Sequence, residues 1–363
     1  MRLGVETALV GGRLVPGDVE IADGRVAGVG LSSSNGRGIA VPGFVDVQVN
    51  GFGGVDFLET DGDGYRQAGE ALLETGVTSF LPTLITAPES ELLAALAEVP
   101  RGSVGPRILG VHLEGPFLAA RRLGTHRAHG RRDPDHALLE RLLAAGPVRM
   151  MTLAPELPGA LELIDDLVAR GVTVSCGHSD ATAEQATAAF DRGARMVTHL
   201  FNAMRPFNHR EPGIVGAALV RDDVFVEIIL DGIHLAAATT ALVWRAAAGR
   251  VALITDAVAA ASGNGGAYSL GSVELLVQDG AVRAPEGMLA GSLLTMIDAV
   301  RNLHALGVSL EDALSAASTV PARALGLTNV GRLDVGLPAD VVVLNDGLEI
   351  ESVFVGGEAR VVA

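Results

Sequence analysis

Eight short apolar runs rich in β-branched residues recur along the middle of this chain: Phe44–Asn50, Val77–Thr83, Ile108–Glu114, Val148–Ala154, Val172–His178, Arg195–Leu200, Val224–Asp231 and Val251–Asp256. Between most of them lie Ala/Leu-rich stretches with helical spacing, at Tyr65–Thr75, Ser90–Glu98, Pro134–Ala145, Leu157–Arg170, Thr182–Asp191 and Ala236–Ala247. Parallel strands need crossover connections, so this alternation reads as successive βα units. Eight such units match an α/β chain folded as a (β/α)8 TIM-like barrel, which occupies about 250 residues and works from the C-terminal ends of its strands. The competing arrangement is an open doubly wound sheet, but no Gly-rich phosphate loop follows the first run.

The two ends of the chain read alike. Ala8–Gly30 and Gly331–Ala363 are short β-branched runs punctuated by Gly11-Gly12, Asp23-Gly24, Asp346-Gly347 and Gly356-Gly357. Neither end is long enough to bury a core alone, so the two are expected to pair. Residues 1–41 with 328–363 would form a small β-sandwich domain, and residues 42–327 the barrel. Ala259–Glu286 is Gly-rich and hairpin-like, which suits a lid or a simple insertion equally.

Composition excludes several functions. With 43 acidic against 27 basic residues the net charge is −16, and no basic run is interleaved with aromatics, so no nucleic-acid surface is expected. An anionic substrate would need a local cationic pocket. No apolar run approaches the roughly 20 residues that cross a bilayer, and Met1–Val10 lacks a basic flank before an apolar stretch, so no membrane partner is expected. The lone Cys176 forms no intrachain disulfide and suits a reducing, cytoplasmic setting. Every basic residue is Arg, which rules out a lysine Schiff base, a P-loop lysine and a metal pair bridged by a modified lysine.

Polar residues collect where the runs end: Gln48, Asn50, Glu114, His178, His199, Asp231 with His234, and Asp256. In a barrel these converge on one mouth. Glu114, His178 and His199 offer one carboxylate and two imidazoles, a set that suits one divalent transition metal ion, Zn²⁺ foremost and Fe²⁺, Co²⁺ or Mn²⁺ as alternatives. Any one of them alone reads equally as a hydrogen-bonded structural residue. Asp256 suits a general base that takes a proton from activated water and returns it to a leaving amine; its plain role is an N-cap for the Ala-rich residues after it. Arg210 could hold an anion through its forked guanidinium or pair with Glu211 at the surface. His126 could reach the mouth as a carbonyl-polarising donor. His129 and His136 read as exposed, Cys176 as a small buried side chain, and Trp244 as helix packing.

Taken in order, the segments Pro42-Gly43-Phe44-Val45-Asp46-Val47-Gln48-Val49-Asn50-Gly51, His112-Leu113-Glu114-Gly115-Pro116-Phe117, Gly177-His178-Ser179, Thr198-His199-Leu200-Phe201-Asn202-Ala203-Met204, Glu211-Pro212-Gly213, Asp231-Gly232-Ile233-His234, Thr255-Asp256-Ala257 and Leu289-Ala290-Gly291-Ser292 resemble the N-acetylglucosamine-6-phosphate deacetylases of the amidohydrolase superfamily. The resemblance implies hydrolysis of the 2-acetamido group of N-acetylglucosamine 6-phosphate, in amino-sugar catabolism, by a metal-dependent barrel. It implies Glu114, His178 and His199 as metal ligands, Asp256 as catalytic acid/base and His126 at the acetyl carbonyl. Arg210 and His234 would bind the sugar phosphate, with Asn202, Ala203, Leu289 and Gly291 also contacting substrate. It further implies a homodimer in which Arg210 serves the neighbouring subunit's site.

One departure stands out: where the superfamily commonly has His-X-His on its first strand, Gln48 and Asn50 stand here. Amides are poor transition-metal ligands, so these vestigial second-metal positions favour a single ion. Two other readings remain open at this stage: an amidohydrolase acting on cyclic amides or as a deaminase, and a metal- or sugar-phosphate-binding regulator. The first would not need Arg210, and the second would not need Asp256.

Overall fold

The computed structural model describes residues 1–32, 36–263 and 265–362. All eight runs form parallel barrel strands: the first is Phe44–Val49, the second Val77–Ile85, the third Val111–Glu114, the fourth Val148–Leu153, the fifth Thr173–Cys176, the sixth Met196–Val197, the seventh Phe225–Ile229 and the eighth Val251–Ile254. Each pairs with the next through ladder hydrogen bonds. The ring closes where Asp256 N–H donates to the Gln48 carbonyl at 2.9 Å and Asn50 N–H to the Ala257 carbonyl at 2.8 Å. The first strand shows why these runs fold so: all six residues are buried, and Val45, Val47 and Val49 alternate with Asp46 and Gln48, whose side chains bond to other barrel strands.

The expected helices form with small boundary shifts, and the first turns of three of the six are capped by side chains. Asp61 caps Gly62–Leu73, Asp135 caps His136–Ala145, and Thr182 forms a reciprocal capping box with Gln185 before Ala183–Asp191. Leu163, Ile164 and Leu167 show the pattern of the buried faces, a helical i, i+1, i+4 stripe turned to the core. Beyond the expected set lie Gly213–Leu219 and, after the eighth strand, Met296–Ala305, Leu310–Ala316 and Thr319–Ala324.

Both chain ends meet in one six-stranded sheet, ordered Arg13–Pro16, Thr7–Val10, Ile39–Pro42, Val341–Leu344, Ile350–Val355, Glu358–Val362. A hairpin of Asp18–Ala22 and Arg25–Leu31 packs on it. The period-two rule divides the sheet's faces: Val341 and Val343 join Val19, Ile21 and Val26 under the hairpin, whereas Val342 and Leu344 join the main barrel core. A half-buried ion pair fastens the sheet to the barrel, with Arg107 Nε and Nη2 donating to Asp340 at 2.9 and 3.1 Å. Residues 259–286 contain a three-stranded antiparallel meander, Tyr268–Leu270, Val273–Gln278 and Ala281–Arg283. No helix among the described residues is long and apolar enough to cross a membrane.

Candidate active site

The fifth, sixth and eighth runs leave regular strand geometry before their last polar residue. His178, His199 and Asp256 have φ of 47°, 28° and 48°, and Phe201 and Ala203 follow at 77° and 50°. Left-handed backbone costs a non-glycine residue about 1–2 kcal/mol, so packing must hold these turns against their own preference. The turns aim the three side chains across the barrel mouth rather than along the strands.

There the ligand atoms of Glu114, His178 and His199 gather within 4.8 Å of one another, all buried. Glu114 Oε1 stands 3.0 Å from His178 Nε2 and 3.0 Å from His199 Nε2, and the two nitrogens are 3.1 Å apart. His178 Nδ1–H donates to the Arg122 carbonyl at 2.8 Å, which leaves Nε2 with a lone pair facing the carboxylate oxygen. Two electron-rich atoms at that separation repel unless a proton or cation lies among them. The donor set therefore fits a transition-metal cation.

The electrostatics agree with this arrangement. Burial opposes charge on Glu114, but hydrogen bonds and charge from His126, His178 and His199 hold its carboxyl well below the usual range. Burial pushes His178 down to about 4. His199 rises to about 9, because its bond to Glu114 and the surrounding carboxylates outweigh burial. Burial, with the charge of Glu114, raises Asp256 to about 6.

Gln48 and Asn50 are turned toward these carboxylates. Gln48 Nε2 donates to both Glu114 Oε1 and Asp256 Oδ1 at 3.1 Å, and Asn50 Nδ2 donates to the same Asp256 oxygen at 2.7 Å. The plain alternative for Asp256, a helix N-cap, is not what it does: its carboxylate takes these amide donors, and among the described residues no helix begins after it before the meander. On the other wall His126 Nδ1 accepts Thr86 N–H at 3.3 Å, so its proton lies on Nε2, which is 3.5 Å from Glu114 Oε2.

A cavity of about 340 Å³ opens above this cluster, and Asn50, Glu114, His126, His178, His199, Asn202, Ala203, His234, Asp256, Leu289 and Gly291 all line it. His234 is oriented by Asp231, which accepts its Nδ1–H at 2.7 Å and the backbone N–H of Ile233 and His234 at 2.8 and 2.9 Å. Leu270 and Met288, from the meander and the segment after it, complete the wall. The inserted segment thus forms part of the cavity. Sequence reasoning missed Ile85, Ile229, Leu270 and Met288, which line the same space but carry no polar signal.

Arg210 does not line this cavity. It is exposed, its guanidinium meets His209 Nε2 at 2.8 Å, and it makes no ion pair among the described residues. The surface pairing with Glu211 is absent too, since Glu211 instead accepts backbone N–H groups of Ala183 and Gly213 at 3.0 and 3.2 Å. Cys176 is fully buried, its thiol pushed up by burial, and is no nucleophile.

Comparison with known proteins places this geometry in a family. The model of the Amidohydrolase family matches residues 39–360. N-acetylglucosamine-6-phosphate deacetylase of Rattus norvegicus is 43% identical over 343 residues, covering 89% of this chain and 83% of that protein. N-acetylgalactosamine-6-phosphate deacetylase of Escherichia coli O157:H7 is 38% identical, covering 94% and 93%. A solved structure of a mutant N-acetyl-D-glucosamine-6-phosphate deacetylase from Mycobacterium smegmatis, in complex with N-acetyl-D-glucosamine-6-phosphate, superposes with a TM-score of 0.95 at 39% identity over 99% of both chains. With its barrel, its carboxylate–imidazole trio and nearly its whole length accounted for by these matches, the chain belongs to the amidohydrolase family, in its N-acetylglucosamine-6-phosphate deacetylase branch.

Proposed function

We propose that this chain hydrolyses the acetamido group of N-acetylglucosamine 6-phosphate, giving glucosamine 6-phosphate and acetate, as a step of amino-sugar catabolism. The observation that carries the reading is the convergence on one cavity of a cation-binding trio, a carboxyl placed to move a proton and an imidazole N–H placed to meet a carbonyl. Relatives and the substrate complex of the Mycobacterium smegmatis protein support the choice of substrate.

Glu114, His178 and His199 would hold one divalent transition-metal ion, Zn²⁺ by the preference of such a donor set, with Fe²⁺, Co²⁺ or Mn²⁺ according to supply. Such an ion supplies Lewis acidity and makes water acidic enough to ionise near neutral pH. Asp256 takes a proton from the attacking water as its oxygen bonds to the acetyl carbon. The same carboxyl then delivers that proton to the sugar nitrogen as the carbon–nitrogen bond breaks. His126 donates from Nε2 to the carbonyl oxygen as negative charge grows there, and Thr86 N–H fixes the tautomer that permits it.

His234, held by Asp231, presents Nε2 to the cavity for the sugar phosphate, while Asn202 and Ala203 offer amide and backbone groups on the neighbouring turn. Leu289 and Gly291 form the wall against the sugar ring. Arg210 lies outside the cavity of its own chain and pairs with no carboxylate among the described residues, which suits a role in the site of a neighbouring subunit of a cytoplasmic homodimer. Binding at the remote phosphate would orient the amide over the trio.

The test is acetate release from N-acetylglucosamine 6-phosphate, N-acetylgalactosamine 6-phosphate and unphosphorylated N-acetylglucosamine, by protein of measured metal content. Preference for the phosphorylated glucosamine derivative is expected. No turnover of any of the three by metal-replete protein overturns the proposal.

A further inference from the structure

Two carboxylates, Glu114 and Asp256, face one buried site, and each is chemically able to bind a cation. Asp256 keeps both oxygens and its full proton affinity for carrying protons when it stays off the ion that Glu114, His178 and His199 would hold. Gln48 Nε2 spans the gap, 3.1 Å from Glu114 Oε1 and 3.1 Å from Asp256 Oδ1, and Asn50 Nδ2 closes on the same Asp256 oxygen at 2.7 Å. Carboxylates only accept, so the amide orientations are fixed by their partners.

Both amides give up something for this. Gln48 Oε1 and Asn50 Oδ1 are buried with no partner among the described residues, an arrangement that costs about 1–3 kcal/mol for each atom. The backbone beneath is rigid, because Asp256 N–H donates to the Gln48 carbonyl and Asn50 N–H to the Ala257 carbonyl, at 2.9 and 2.8 Å. Among the described residues no donor bonds to Asp256 Oδ2.

We infer that Gln48 and Asn50 are positioning residues that tether Asp256 by Oδ1, hold it apart from the metal-binding trio and so keep it a proton carrier instead of a fourth ligand. The inference rests on the metal-dependent reading of this site. It gives Gln48 and Asn50 an active duty at positions that sequence alone reads as vestigial.

The experiment compares wild type with Gln48→Leu/Asn50→Leu, each stripped of metal and reloaded with Co²⁺ in the absence of substrate. Affinity is read by competition with a chromophoric chelator, and coordination by the visible absorption of bound Co²⁺. Freed of its tether, Asp256 joins the ion. The variant is expected to bind Co²⁺ at least about tenfold more tightly, with weaker visible absorption as coordination number rises, while kcat falls and KM changes little. Adding Asp256→Asn removes the tightening, since no carboxylate is left to make it.

Unchanged or weaker affinity with an unaltered spectrum overturns the inference, because loosening of a merely structural contact loses metal. If the double variant fails to fold, Gln48→Met keeps the side-chain length and is held to the same sign of change. These readouts need no substrate, so an error in the proposed substrate leaves them intact, whereas acetate release tests that assignment separately.

Discussion

Asp256→Asn separates the chemistry of the site from its architecture. Asn keeps the oxygen that Gln48 and Asn50 hold, and it tolerates left-handed backbone better than other non-glycine residues, so the turn at φ 48° survives. What disappears is proton transfer, for which a positioned carboxyl typically contributes about 10²–10⁴-fold. What also disappears is a buried charge. Burial, with Glu114 beside it, moves Asp256 from its ordinary 3.8 to about 6, equivalent to about 3 kcal/mol at most against the ionised folded state. Because the folded value lies above the unfolded one, this penalty is absent below the unfolded value and complete above the folded one. Metal-free Asp256→Asn should therefore unfold several degrees above metal-free wild type at about pH 8 and match it at about pH 4. Differential scanning calorimetry gives the first result, and acetate release with metal analysis gives the second: turnover down at least about a hundredfold at unchanged metal content. A lower melting temperature at the higher pH, or turnover within tenfold of wild type, would refute the reasoning.

Three further outcomes follow from the same geometry. The acid limb of kcat/KM should lie at or below about pH 6, with activity lost as pH falls, since Asp256 must be ionised to accept a proton and a cation at the trio opposes the burial that raises it; a limb well above that value assigns the base elsewhere. Gly291→Ala should lower both melting temperature and kcat, because at φ +72° its new Cβ would stand 2.5 Å from Val258 Cγ1 and 2.7 Å from the Asp256 carbonyl, which Ser292 N–H holds at 2.9 Å; activity like wild type would show that the turn yields freely. Mixing Arg210→Ala and Asp256→Asn subunits, each nearly inactive, should restore about a quarter of wild-type turnover if Arg210 crosses a dimer interface, and none if it acts within its own chain.

What the sequence made legible, and what it hid, divides along a physical line. Buried parallel strands must be apolar on both faces, so Asp46, Gln48, Glu114 and Glu227 stand out within them; Gln48 and Glu114 were readable as strand-end chemistry because their runs were so uniform, whereas Asp46 and Glu227, further from the run ends, passed unread. The later helices carried readable caps, Thr295 onto Asp298 and Ser309 onto Asp312, and went unread because the barrel count was already complete. The left-handed turns at His178, His199 and Asp256 were not legible, since His and Asp are over-represented at positive φ but adopt it in only a small minority of positions, and packing selects which ones do. Gln48 and Asn50 mark the sharper limit. Residue type says that an amide ligates a transition metal poorly, which is correct, and from that alone the positions look empty of purpose. Their value lies in the opposite property: an amide N–H is a neutral donor that can bond two carboxylates at once, so it can hold Asp256 beside a cation site without adding a charge of its own. That function exists only between residues 208 positions apart in the chain, and it becomes visible only when the barrel closes and brings the first strand against the eighth.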